Sequence, residues 1–225
     1  MIVNPIYGAG GAQSSGYVED KLLYLYDGTA EKLTFGNNYD LGYDGTAIVT
    51  APHITAVGGW TAEAYVTVAG VGDDTYQRAL CFAGENNRSS DINIAFGTVS
   101  GLQSADYIFN PMLRWGANLD YIMPEIASLT FGTKHTFAIV SIPDPNGIAD
   151  NTVKFYVDGA NVGTDSSQSK SAEIVLSALG IKNGINVTRP LNGTLHSGRF
   201  YTRALTAAEL VANHTNDITK YGGND

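Results

Sequence analysis

Glu63 is the residue whose position most invites a chemical reading. It sits in the run Gly59 to Val68, where Trp60, Ala62, Ala64, Val66 and Val68 alternate with Thr61, Glu63, Tyr65 and Thr67. That period of two is the signature of a strand with two distinct faces. A retaining glycosidase needs two carboxyl groups about 5 Å apart, one as nucleophile and one as acid. Alternate positions of one strand supply that spacing, because they point to the same face. Here the position after Glu63 on its face is Tyr65, not an acid, so the pair is missing. Asp73-Asp74 and Asp144 lie in loop-like sequence. His53, His135, His196 and His214 are isolated, with no metal-ligand spacing and no serine-histidine-acid motif. The residues therefore point to a chain that binds rather than catalyses, with Glu63 as a ligand contact.

Aromatic side chains on a strand face could stack against sugar rings. Tyr65, Tyr76, Tyr107, Trp115 and Tyr121 are the candidates, and Tyr65 shares a face with Glu63. The lone cysteine, Cys81, lies in the apolar run Ala79 to Ala83 and reads as a small buried residue; it excludes an internal disulfide.

Composition limits the partners. The net charge is −9, from 22 acidic and 13 basic residues, and the basic residues form no patch. Such a field repels nucleic acid and anionic membrane surfaces. No run approaches the ~18 apolar residues that a membrane-spanning helix needs, and the start at Met1 lacks the pattern of a secretory signal.

The elements that would position these residues are strands. With 225 residues, 26 of them glycine, the chain suits one large all-β domain. Leu22 to Tyr26, Gly59 to Val68, His135 to Val140 and Val153 to Val157 read as strands, and Asp27-Gly28, Asp44-Gly45 and Asp158-Gly159 as tight turns. Glu85 to Asp91 reads as a polar loop. One short helix is expected near the end: Thr206-Ala207-Ala208-Glu209 is a capping box, Leu205 and Leu210 can staple it, and Asn213 is a plausible stop. Many short strands with no alternating helices predict an antiparallel β-sandwich.

Residues 1–20 differ from the rest. They are rich in glycine and alanine and read as an arm, with the sandwich over 21–225. Ile2, Val3, Ile6 and Tyr7 nevertheless cluster around Pro5. An arm with four such residues is expected to dock on another protein chain, a second copy or a larger assembly.

Four phrases carry a family resemblance. Gly59 to Val66, Lys134 to Val140, Val153 to Gly159 and Leu191 to Leu210 are similar, in order and spacing, to phrases of laminin-G-like domains in the concanavalin A-like lectin/glucanase superfamily. The last is the most specific, since Arg199, Phe200-Tyr201, Arg203-Ala204-Leu205 and the capping box coincide. The resemblance implies a two-sheet jelly roll with a concave face, of the type found in bacterial surface and bacteriophage virion proteins. Its members bind glycans or proteins, serve as spacers or, in a distant branch, hydrolyse polysaccharides; this chain lacks the paired acids of that branch. The resemblance also brings calcium as a cofactor to consider, with Asp73, Asp74, Asn86, Asn87 and Asp91 supplying oxygens from two acidic loops. The combined expectation is a non-catalytic virion component, a capsid decoration or tail-associated adhesion protein. The alternatives are a carbohydrate-binding module at the bacterial cell surface or outside the cell and, behind it, a hydrolase.

Overall fold

A computed structural model describes residues 16–26, 33–35, 49–56, 59–70, 76–83, 90–97, 106–109, 111–115, 129–144, 151–165, 174–179 and 191–224. Among them are fourteen strands and one helix, arranged as an antiparallel two-sheet sandwich, as expected from the sequence.

The first sheet runs in the order β1 (Leu22–Tyr26), β14 (Gly193–Tyr201), β4 (Trp60–Val68), β10 (Lys134–Ile142), β11 (Thr152–Val157) and β12 (Ala160–Asp165), with β2 (Leu33–Phe35) also paired to β14. The second runs β3 (Val49–Ala56), β13 (Ile174–Leu179), β5 (Tyr76–Ala83), β6 (Ser90–Gly97), β7 (Asp106–Phe109) and β9 (Leu129–Thr130), with β8 (Met112–Trp115) paired to β6.

The alternation in β4 sorts its residues as the pleat requires. Trp60, Ala62, Ala64, Val66 and Val68 are fully buried. Ala64 pairs with Phe137 of β10, and Phe137 meets Phe96 and Phe109 of the second sheet at ring separations of 4.7 and 4.9 Å. These edge-on and tilted contacts form the inter-sheet core. Trp60 stacks on Phe200 in the same layer.

The opposite face of β4 is buried as well. Helix α1 (Ala207–Tyr221) lies across it, and Ala138, Val140, Tyr156, Tyr201, Leu205 and Leu210 make a second apolar layer. Thr206 caps the helix as the sequence predicts: its hydroxyl accepts from the Glu209 N–H and its own N–H donates to the Glu209 carboxylate at 2.8 Å. The helix is longer than expected. Asn213 does not stop it, because its side chain turns inward to bond Glu63 and Tyr201 instead of competing for the backbone. The helix ends at Gly222, whose φ of 78° suits glycine.

The Asp158-Gly159 turn joins β11 to β12 with both residues at positive φ, 51° and 79°, the conformation expected of that hairpin. Asp27-Gly28 and Asp44-Gly45 lie outside the described residues, as do residues 1–15 and with them Ile2, Val3, Pro5, Ile6 and Tyr7. The end of the expected arm is described, and there the boundary at residue 21 is too late. Tyr17 is buried, its hydroxyl donates to Asp217 at 2.8 Å, and the Val18 N–H donates to Asn213 at 2.9 Å. Residues 17 and 18 thus belong to the packed domain. No described helix is long and apolar enough to cross a membrane.

Candidate functional site

A fully buried cluster of charged groups lies between the first sheet and α1. Strand pairing sets Glu63 opposite Arg199, and the helix brings Asp217 over both. Arg199 donates to Asp217 through both terminal nitrogens at 2.7 Å, and through Nε to Glu63 Oε2 at 3.0 Å. All three side chains are wholly shielded from solvent. Asp217 also accepts from Ser197, Thr136 and Tyr17, while Glu63 Oε2 accepts from Asn213 at 2.6 Å. The Tyr17 ring lies 4.3 Å from the guanidinium carbon and closes the cluster on its remaining side.

One positive charge faces two carboxylates here. Burial raises the Glu63 carboxyl above its ordinary value, and the Arg199 guanidinium offsets that only in part. Burial acts on Asp217 too, but its bidentate partner Arg199 and the hydroxyl donors outweigh it and hold Asp217 below the usual carboxylate range. Glu63 Oε1 has no hydrogen-bond partner among the described residues. Asp217 therefore carries the negative charge that matches Arg199, and Glu63 is the member held toward its neutral form.

This arrangement corrects the reading of Glu63 as a ligand contact. It has no exposed surface, because α1 covers the face it occupies. Tyr65 is likewise buried and donates from its hydroxyl to the Gly222 carbonyl at 2.7 Å, tying the end of the helix to β4. Burial raises its pKa. Tyr107 is 1% exposed and packs against Phe96 and Phe131 in the core. None of the three offers a face to a sugar. Trp115 is the last residue of β8 and Tyr76 the first of β5; Tyr121 lies outside the described residues.

The proposed calcium oxygens are not brought together by anything described. Asp73, Asp74, Asn86 and Asn87 lie outside the described residues. Asp91 is not in a loop as expected but in strand β6, where its backbone pairs with Ala83 and Arg114. No group of three His, Cys, Asp or Glu among the described residues could hold a metal ion.

Sequence reasoning missed a second constellation. His135 Nδ1 lies 2.7 Å from Asp158 Oδ2 and its Nε2 lies 2.9 Å from the Thr133 hydroxyl. His214 stands 3.5 Å from the other Asp158 oxygen and 2.9 Å from Thr136 Oγ1. A hydroxyl, an imidazole and a carboxylate in line resemble a nucleophilic triad. The Thr133 hydroxyl, however, donates to the Thr130 carbonyl at 2.6 Å, and the neighbouring Gly132 N–H is spent on Val68. The proton and the nearby donor are thus engaged in closing a turn. The cluster locks the hairpin at Asp158 to β10 and α1, with Thr136 N–H donating to Asp158 Oδ1 at 2.8 Å. Only the chain positions of His135 and Asp158, at the start of one strand and the turn after the next, could have signalled this meeting.

The sandwich, the helix laid over one sheet and the Arg-Ala-Leu capping segment define a lectin-type jelly-roll domain. Residues 40–211 match the Laminin_G_3 family, described as the Concanavalin A-like lectin/glucanases superfamily, and the chain belongs to that family. Similar solved structures include the heptameric SAP-like pentraxin from Limulus polyphemus, with TM-score 0.51 and 16% identity over 74% of this chain and 77% of that one. The Ruminococcus gnavus IT-sialidase CBM40 bound to alpha2,3 sialyllactose gives 0.46 and 13%, over 74% and 98%. The Trypanosoma rangeli sialidase in complex with the inhibitor DANA gives 0.44 and 16%, over 69% and 22%. At these identities the likeness is one of fold. No curated protein matches the chain.

Proposed function

We propose that this chain is a non-catalytic binding and assembly domain whose ligand class is glycan and whose partners are other protein chains. The observation that carries the non-catalytic reading is the burial of Glu63 and Asp217 beneath α1 with Arg199 between them. A glycosidase carboxylate must reach a glycosidic oxygen or a sugar carbon; these two reach only protein. Family membership supports glycan as the ligand class, since lectins are among the proteins that share this sandwich.

The finer reading is a bacteriophage virion component, a capsid decoration or tail-associated adhesion protein that assembles through residues 1–12. Its support is the apolar cluster Ile2, Val3, Ile6 and Tyr7 in a glycine-rich stretch, attached to an acidic domain without a basic patch. A carbohydrate-binding module of a bacterial surface protein shares the glycan chemistry and differs in location.

A glycan array probed with the full chain, alongside reducing-sugar release from the glycans it retains, tests the core of this reading. Retention without release is expected. Release that survives repurification overturns the non-catalytic reading, and retention of no glycan removes the ligand class. Finding the chain by mass spectrometry in purified phage particles tests the virion reading, and its absence from them rejects it.

A further inference from the structure

The outer face of α1 is unusual for a helix on an acidic protein. Its exposed positions after Ala207 are Ala208, Val211, Ala212, Thr215, Ile218 and Thr219, and no charge interrupts them before Lys220. Val211 is 47% and Ile218 40% exposed, the two large apolar side chains exposed among the described residues. The two threonines do not make this face polar. Thr215 donates its hydroxyl back to the Val211 carbonyl at 2.9 Å, and Thr219 to the Thr215 carbonyl at 2.8 Å. Their hydroxyls are satisfied within the helix. A solvent-facing helix surface ordinarily carries charged and polar residues.

Residues 1–15 match this face in chemistry. They contain no Asp, Glu, Lys or Arg, and they hold Ile2, Val3, Ile6 and Tyr7. The described chain starts directly after them, at Gly16, against this helix. Gly16, at φ 78°, is pressed so closely on Asn216 that a β-carbon there would overlap the Asn216 side chain. Val18 then bonds Asn213, one turn earlier. The chain therefore arrives along the flank of α1 from its C-terminal end.

We propose that the outer face of α1 is the seat of residues 1–12 from a second copy of this chain, in a two-fold dimer with the two helices antiparallel. In that arrangement the C-terminal end of one helix lies beside the N-terminal half of the other, so each arm leaves its own domain towards its partner's Ala208 and Val211. The contact is isologous and closes on itself. A stable interface buries roughly 1,200 Å² or more, and in this arrangement the two arms add their contact area to that of the helix faces. Fifteen extended residues reach about 50 Å, against about 22 Å for a fifteen-residue helix. This proposal names the receptor for the arm and rests on the reading that the arm mediates assembly.

The test is sedimentation of four purified chains over a range of concentrations: the wild type, a deletion of residues 2–12, Val211→Glu/Ile218→Glu, and Thr215→Glu alone. Circular dichroism and thermal melting establish that each is folded. A wild-type dimer, with at least a tenfold weaker dissociation constant in each of the three variants, is the expected result. Loss of the dimer on deletion but not in the two helix-face variants places the receptor elsewhere and overturns this inference while leaving assembly through the arm intact. A dimer that survives the deletion rejects the assembly reading itself. A wild type that stays monomeric, with the deletion and the helix variants lowering the melting temperature alike, shows the arm folded on its own helix and overturns both.

Discussion

Arg199 and Asp217 form a bidentate ion pair, with both nitrogen-oxygen distances at 2.7 Å and neither side chain exposed. It joins β14 to the last turns of α1 across the face that would otherwise be the open side of the first sheet. Arg199 pairs in register with Glu63, so the same guanidinium fixes strand, neighbouring strand and helix.

Removing one member of a buried pair leaves the other charge without compensation, at a cost of about 3–5 kcal/mol. Asp217→Asn should therefore destabilise the domain by about that amount, measured by urea denaturation near neutral pH. Glu63→Gln should cost no more than about 1 kcal/mol, because Glu63 is the carboxyl held toward neutrality and a Gln oxygen can still accept from Arg199 and Asn213. Equal losses in the two variants would mean that the carboxylates share the charge, contrary to the assignment made here.

The same assignment fixes a pH dependence. A carboxyl raised in the folded state binds its proton more tightly there, so its favourable contribution is full below the ordinary value of 4.5 and falls as pH rises through the folded value. Asp217 is depressed, so its contribution is present above its ordinary 3.8 and is lost only as pH falls further. Stability of Glu63→Gln relative to the wild type should therefore increase as pH is raised from 4.5 toward neutrality. A flat or falling difference would mean that the Glu63 carboxyl is not raised in the folded state.

Thr206→Ala should lower stability by about 1 kcal/mol. Glu209 bonds Arg203 and the cap residue, and these hold its carboxyl down at about 2. The cap should therefore persist on acidification below the ordinary carboxylate range and weaken only toward about pH 2. An unchanged melting temperature in Thr206→Ala would show that the box contributes nothing.

Tyr17 tests where the domain begins. Loss of its hydrogen bond to the Asp217 carboxylate in Tyr17→Phe should cost about 1.5–3 kcal/mol. Truncation after residue 12 should leave the melting temperature of the monomer unchanged, whereas truncation after residue 20 should lower it. If both truncations melt like the full chain, Val18 and Tyr17 are not part of the packed unit.

Gly193 lies hard against the neighbouring strand β4. A β-carbon there would sit 1.9 Å from the Thr67 carbonyl oxygen, within the ladder that joins β14 to β4. Gly193→Ala forces those backbones apart, and overpacking of this kind costs about 1–3 kcal/mol. The loss should appear as a lower urea midpoint with the slope unchanged.

Local chemistry was enough to read much of the fold from the sequence. The alternation in Trp60 to Val68, the Asp158-Gly159 turn and the Thr206 to Glu209 box each depend on residues within one strand, turn or helix end, and each stands as expected. Matching of the Arg199 to Leu210 phrase to the family likewise needs no coordinates. What the sequence could not decide is what covers a face. Thr61, Glu63 and Tyr65 have the pattern of a half-exposed strand, and only the tertiary structure lays α1 over them and turns a ligand-like Glu-x-Tyr into a buried ion cluster with Arg199 and Asp217. Asn213 looked like a helix stop because propensity is local, whereas its bond to Glu63 joins residues 150 positions apart in the chain. Period two tells which residues share a face; which element packs on that face depends on contacts between residues more than a hundred positions apart, and no local pattern encodes them.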